Sequence, residues 1–204
     1  MVVEAYSGRS SLINEIVDPS LLVCIINLHH ANEKKLNLLD IISPILRQEC
    51  KGVYSFPLLQ PLFCARLLQD AQQFSEYSTT HCPEIQGRPI YLSMAKLDWI
   101  AELIFTLVIQ PLAHVLYPEQ CQGGLDWIHG FIVGYSPTPD GKTFTTRTAL
   151  DAHTDDSEVT LTVNLGQQFE GGKVTFWGLR GNPEPVGYNV SPQVPPSNIN
   201  FDFN

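Results

Sequence analysis

The amino-acid sequence predicts an α+β protein, helical in its first half and built of antiparallel strands in its second. Three observations carry this. Two stretches between residues 61 and 116 place apolar residues at helical spacing. From Ile128 onward the pattern becomes β-type, and Val159–Leu165 alternates strictly with period two. Gly and Pro clusters separate these short runs, as in a sandwich or open barrel at the C-terminal side.

Residues 1–50 read as a helical N-terminal extension. Leu36, Leu39, Ile42 and Leu46 recur at helical spacing, with Pro44 as a break. Leu21–Ile26 is the most hydrophobic run and predicts a buried strand or helix segment; it is far short of the ~20 residues of a membrane span. His29 and His30 are adjacent, so on a helix they diverge and form no site. Lys51–Phe56 predicts a strand. Pro61 suits the first turn of a helix whose apolar face would be Leu62, Ala65, Leu68, Ala71 and Phe74.

A polar loop follows from Tyr77 to Pro89. His81 beside Cys82 lacks a second ligand pair and reads as loop surface. A buried helix is expected from about Lys96 to Ile109, and Pro111 and Pro118 bracket a last helical piece. Ile128–Tyr135 is strand-like, and Pro137, Pro139, Asp140 and Gly141 mark a loop. Gly171-Gly172 is expected to be a turn or bulge before the strand Lys173–Trp177. Residues 51–180 therefore form one domain, and 181–204, with five prolines and no periodicity, read as a disordered tail.

The chain has 204 residues, a hydrophobic share of 44%, a charged share of 16% and net charge −9, the composition of an ordinary globular protein. No Lys/Arg cluster offers a phosphate footprint, which argues against nucleic acid as a partner. No transmembrane or lipidation motif is visible, so no membrane partner is expected. Five scattered cysteines without Cys-x-x-Cys predict reduced thiols, with Cys64 as core filler. Met1–Ser11 lacks a secretory pattern, so an intracellular location, cytoplasmic or nuclear, is expected.

The chemistry concentrates in Leu150–Glu158, where His153-Thr154-Asp155 forms His-x-Asp. On an extended backbone, residues i and i+2 share a face, so the imidazole and the carboxylate can converge on one metal ion. That ligand mix suits Fe(II) with open positions, and not a structural zinc site. The tripeptide alone is weak, since composition gives about 0.3 chance occurrences. The alternative is a histidine that opens a strand and is satisfied by a backbone carbonyl.

The surroundings add weight. Asp126–Tyr135, then His153–Gly166, then Phe169-Glu170-Gly171-Gly172 resemble the prolyl/lysyl-hydroxylase-type (PKHD-type) 2-oxoglutarate/Fe(II) oxygenases. Within these, the same residues resemble the branch of "2-oxoglutarate and iron-dependent oxygenase domain-containing protein 2" and its plant relatives. Gly52–Phe56, Pro61–Cys64, Gly87-Arg88-Pro89 and Pro111–Glu119 resemble the same branch, over about residues 20–180 in all. The resemblance implies a double-stranded β-helix (jelly-roll-like) braced by the N-terminal helices. It implies His153 and Asp155 as metal ligands and Tyr135 beside the 2-oxoglutarate; a strand-end core aromatic is the alternative for Tyr135. His129 shares Tyr135's strand parity and faces the same pocket or packs as a structural histidine. The implied reaction consumes 2-oxoglutarate and O₂, gives succinate and CO₂, and hydroxylates a C–H bond, with ascorbate as the family's reductant. The implied substrate is a protein, at a peptidyl Pro or Lys.

The family also places a second histidine on a later strand and, about ten residues on, a basic residue for the far carboxylate of 2-oxoglutarate. No histidine follows His153, and Lys173 and Arg180 are the only basic residues after it. Ile128 stands where close relatives tend to carry histidine. The expectation is a C-terminally truncated, incomplete β-helix, inactive or nearly so, with unpaired edges on Val159–Leu165 and Val174–Trp177. Two further readings stand beside it: a non-catalytic oxygenase-like module that binds a partner through its unfinished sheet, and a cupin-like metal-binding module with other ligands.

Overall fold

The structure, a computed structural model, describes residues 10–31, 37–81, 88–135, 149–165, 172–179, 182–191 and 198–203. Its helices are α1 (Ser10–Ile16), α2 (Pro19–Ala31), α3 (Leu38–Ile42), α4 (Pro61–His81), α5 (Asp98–Ile104) and α6 (Gln110–Leu116), the last two joined by a π-helical turn, Phe105–Ile109. Its strands are β1 (Arg47–Cys50), β2 (Val53–Pro57), β3 (Ile90–Tyr91), β4 (Phe131–Ile132), β5 (Val159–Val163), β6 (Val174–Leu179), β7 (Asn182–Val190) and β8 (Asn198–Phe203). Their pairings are antiparallel. The protein is α+β, as expected.

Two compact units divide the chain, on different boundaries from those the sequence suggested. The first comprises Met1–Ala65, Pro111–Gly123 and Thr154–Asn204. It holds a four-stranded sheet of order β1-β2-β8-β5 and the separate hairpin β6-β7. Residues 1–50 are thus not purely helical: β1 belongs to them and pairs with β2. Gly52 closes that hairpin at φ 77°, a left-handed conformation that glycine adopts without steric cost. β2, between two neighbours, buries Val53, Ser55 and Phe56. Buried Ser55 donates its hydroxyl to Glu49 at 2.5 Å, and Glu49 meets Arg47 at 3.3 Å, so the polar group inside the sheet is satisfied.

Asp18 caps α2 by accepting from the Ser20 N–H at 2.8 Å, ahead of Pro19 at the first helical position. The apolar run Leu21–Ile26 lies in this helix. Its spacing turns Leu21, Cys24, Leu28 and Ala31 inward and leaves Val23 and Ile26 exposed. α3 stops before Pro44 and buries Ile42. Tyr117 donates to the Gly52 carbonyl at 2.9 Å and packs its ring edge-on to Tyr54.

The tail expected to be disordered contains two strands. Pro183 and Pro185 lie inside β7, which pairs only with β6 among the described residues. Such an edge strand tolerates residues without an N–H. β8 inserts between β2 and β5, so β5 is paired on one side and β6 is paired with β7; among the described strands each has a neighbour on one side. Trp177 crosses over Gly187, where an added Cβ would lie 3.1 Å from the indole and 2.6 Å from Thr175. Gly172, at φ 63°, leads into β6 as the turn reading required; Gly171 lies outside the described residues.

The second unit comprises Arg66–Gln110 and Gly124–His153. The strand expected over Ile128–Tyr135 is here only the two-residue β4, paired with β3. The proline loop expected after it lies outside the described residues. α4 begins at Pro61 as anticipated, but its buried stripe is Cys64, Leu67, Ala71, Ser75 and Ser78. The face is rotated from the expected one: Leu62 and Ala65 are exposed, and Ser78 is satisfied by the Ser75 carbonyl at 2.9 Å.

The helix expected to end near Ile109 continues to Leu116. Pro111 lacks an N–H and its ring crowds the carbonyl four residues back. The turn just before it is widened, with the Gln110 N–H bonding to the Phe105 carbonyl, so the helix accommodates the proline without ending. Asp98–Leu116 is long and apolar enough to cross a membrane by length and composition. A core helix passes the same test, and Ile100, Leu103, Val108, Leu112 and Ala113 of this one are buried.

Cys24, Cys64 and Cys121 are buried thiols, as expected of Cys64; Cys82 lies outside the described residues. Burial raises the pKa of Cys24, whose Sγ–H faces the Ile41 carbonyl at 3.3 Å. Burial, and then the charge of Glu158, raises that of Cys121. A raised folded-state pKa means the folded protein holds these protons more tightly. The stabilisation is therefore full below the unfolded thiol's pKa and is lost as pH rises through the raised value. Urea midpoints should fall from pH 7 to beyond the ordinary thiol range of ~8.5, and Cys24→Ala and Cys121→Ala should flatten that fall; an unchanged slope would contradict the assignment.

Candidate functional site

Both ligands predicted from the sequence lie on the irregular segment that leads into β5. His153 ends the second unit and Asp155 lies in the first, and each has a partner within its own unit. His153 is exposed, and its Nδ1 is 2.8 Å from the Asp151 carbonyl. A carbonyl only accepts, so Nδ1 carries the proton and Nε2 is the lone-pair nitrogen of the neutral ring. A structural histidine at a strand's start makes the same contact. It is also how a ligating histidine is oriented for a metal through its other nitrogen.

Asp155 is half-buried. Its Oδ2 accepts from the Thr160 hydroxyl at 2.8 Å, and Thr160 Oγ1 lies 3.0 Å from Ser157 Oγ. Because Thr160 spends its single proton on the carboxylate, Ser157 donates to Thr160. The run Ser157–Thr160–Asp155 fixes one carboxylate oxygen from the first residues of β5. Neither hydroxyl was picked out from the sequence. The available signal was threonine alternating through Val159–Val163 just after an acidic turn.

Among the described residues, no three His, Cys, Asp or Glu side chains come together to hold a metal ion. One imidazole and one carboxylate are the right kinds of donor for Fe(II). Among the described residues they do not complete a three-ligand site.

Tyr135 belongs to the second unit and is 51% exposed at the end of an irregular stretch after β4. His129 joins an aromatic cluster instead of a pocket. Its ring centroid lies 5.3 Å from Tyr91, 5.8 Å from Phe131 and 6.2 Å from Trp127. Trp127, Phe131 and Tyr91 are all exposed, so the cluster is a surface feature. Gly130 passes between them close to Leu92, whose Cδ1 would sit 2.6 Å from an added Cβ. His29 and His30 are exposed at the end of α2, and His81 stacks on Tyr77 at the end of α4 with Nδ1 on the Tyr77 carbonyl. His81 is thus at the surface as the sequence suggested, but on a helix end and not in a loop.

No family model matches the chain. It is similar to the 2-oxoglutarate and iron-dependent oxygenase domain-containing protein ICU11 of Arabidopsis thaliana, 34% identical over 135 residues, or 63% of this chain and 32% of that protein. It is also similar to protein CP2 of the same name and organism, 33% identical over 142 residues, 67% of this chain and 34% of that one. The 2-oxoglutarate and iron-dependent oxygenase domain-containing protein 2 of Homo sapiens is 32% identical over 142 residues, 64% of this chain and 36% of the human protein. The chain spans about a third of the length of these relatives.

Thr160→Val keeps the shape of the side chain and removes the donor to Asp155. It should lower stability by about 1 kcal/mol in urea unfolding, whereas Thr162→Val, on an exposed position, should stay within about 0.5 kcal/mol. Equal effects would show that the carboxylate contact contributes nothing.

Proposed function

We propose that this chain is part of a 2-oxoglutarate- and Fe(II)-dependent oxygenase of the prolyl/lysyl-hydroxylase type, in which His153 and Asp155 are two of the protein ligands to iron. The observation that carries the reading is the state of those two side chains. His153 turns its proton-bearing Nδ1 to a carbonyl, and Asp155 is steadied by Thr160. A metal-binding pair needs this preparation: a fixed tautomer on the imidazole and a hydrogen-bonded carboxylate. The names of the relatives supply the metal and the co-substrate.

In this reading the strands belong to a double-stranded β-helix, and Tyr135 flanks 2-oxoglutarate. The substrate is a protein, hydroxylated at Pro or Lys, with ascorbate as reductant, in an intracellular compartment. Iron and 2-oxoglutarate bring the oxidising chemistry; the chain's own residues hold and orient them. In this reading the chain by itself is inactive or nearly so, because among the described residues no third donor joins His153 and Asp155 where such a site uses three. One observation favours a second reading, a non-catalytic oxygenase-like binding module: among the described residues no third donor joins His153 and Asp155.

Metal titration separates these readings. With Mn(II) as the spectroscopic stand-in for Fe(II), the full chain should bind weakly. Thr160→Val should weaken binding about 10-fold, and His153→Ala should abolish it. Succinate formation from 2-oxoglutarate should stay at background in the chain alone. Binding that survives His153→Ala would remove the ligand assignment. No binding by the wild-type chain would leave the non-catalytic module. Iron-dependent turnover lost in His153→Ala would show that the chain completes its site.

A further inference from the structure

Ser43 closes α3, and Pro44 follows it. A serine with proline on its C-terminal side is the pair that proline-directed protein kinases accept. A substrate groove that offers no acceptor for the next backbone N–H penalises other residues there and costs proline nothing. Ser136, Thr138 and Ser191 also precede prolines, but those prolines lie outside the described residues. Ser43 and Pro44 are both described and both exposed, within a described stretch that runs from residue 37 to 81. The Ser43 hydroxyl donates to the Asp40 carbonyl at 3.2 Å, longer than the usual O–H···O bond, so little is lost when that contact is given up.

α3 is also an easy element to open. It has five residues and one buried side chain, Ile42. A kinase takes its substrate as an extended segment, and a helix this short opens locally at small cost. A phosphate on Ser43 would then hinder its return. It brings close to two negative charges at neutral pH to the negative end of the helix. Asp40, exposed and three residues earlier, lies on the same face and repels it. The bond to the Asp40 carbonyl goes with the hydroxyl proton. The helix that these effects weaken packs on α2, where the Cys24 Sγ–H faces the Ile41 carbonyl at 3.3 Å.

We propose that Ser43 is a phosphorylation site for a proline-directed serine/threonine kinase, and that its phosphate loosens α3 from α2. This goes beyond the oxygenase reading and does not depend on it. In the transfer, the Ser43 Oγ attacks the terminal phosphorus of a nucleoside triphosphate, and its proton passes to the kinase's carboxylate. The bond from that phosphorus to the bridging oxygen breaks, and the nucleoside diphosphate leaves with the electron pair.

The full chain, incubated with magnesium ATP and a mitogen-activated protein kinase, should carry phosphate on Ser43 when its peptides are mapped by mass spectrometry. The rate should lie within about 10-fold of that for a synthetic peptide of residues 37–50, since opening α3 costs little. Pro44→Ala should remove the phosphate from chain and peptide alike. In a chain with Ser136→Ala, Thr138→Ala and Ser191→Ala, phosphorylation should raise the labelling rate of Cys24 by a thiol reagent about 5-fold. The same chain with Ser43→Ala should label at its original rate after the same incubation. A peptide that is phosphorylated while Ser43 of the full chain is not would overturn the proposal, because the site would then be closed in the fold. So would failure of both to take phosphate, or Cys24 labelling that phosphorylation leaves unchanged. The comparison of wild-type chain and peptide needs no variant and stands if a substituted chain fails to fold.

Discussion

The first unit depends on one backbone pairing, the insertion of β8 between β2 and β5. Five residues of β8 pair with β2 and five with β5, from Val53↔Asp202 to Pro57↔Asn198 and from Val159↔Phe203 to Val163↔Ile199. No described strand joins β5 to β2 directly. The hairpin β1-β2 forms locally around Gly52, whereas β8 brings together segments about a hundred residues apart in the chain. Such pairing is entropically late and comes after local structure. The sheet closes only when its last strand arrives.

That ordering bears on the candidate site. Thr160 sits on β5 and donates to Asp155, so the pairing that fixes β5 also fixes the hydroxyl that steadies the carboxylate. His153 is prepared differently, by the carbonyl of Asp151 two residues away. One candidate ligand is thus positioned by the sheet and the other by a local contact. Both arrangements are of the kind that orients a metal's ligands.

Much of this was legible in the sequence, for identifiable reasons. Alternation in Val159–Val163 marked β5, Pro61 marked the start of α4, and Gly172 marked the turn into β6. His-x-Asp was legible because its spacing is local. What stayed hidden depended on contacts distant in sequence. The buried stripe of α4 follows Cys64, Leu67 and Ala71, a face that helical spacing alone does not separate from the neighbouring half-apolar ones. The prolines of 181–204 masked β7, which holds them at an edge. They also drew attention from Asn198-Ile199-Asn200-Phe201-Asp202-Phe203, a polar–apolar alternation as regular as that of β5. The π-helical turn had a local signal in Pro111, which reads equally well as a helix end.

Hydrogen exchange along β5, in the full chain and in a form ending at Ser197, measures the dependence on β8 most directly. The expected result is slow exchange at alternate amides of Val159–Val163 in the full chain and loss of that protection without β8, while the helical amides of α2 stay protected. Unchanged protection of β5 in the shortened form would contradict the account.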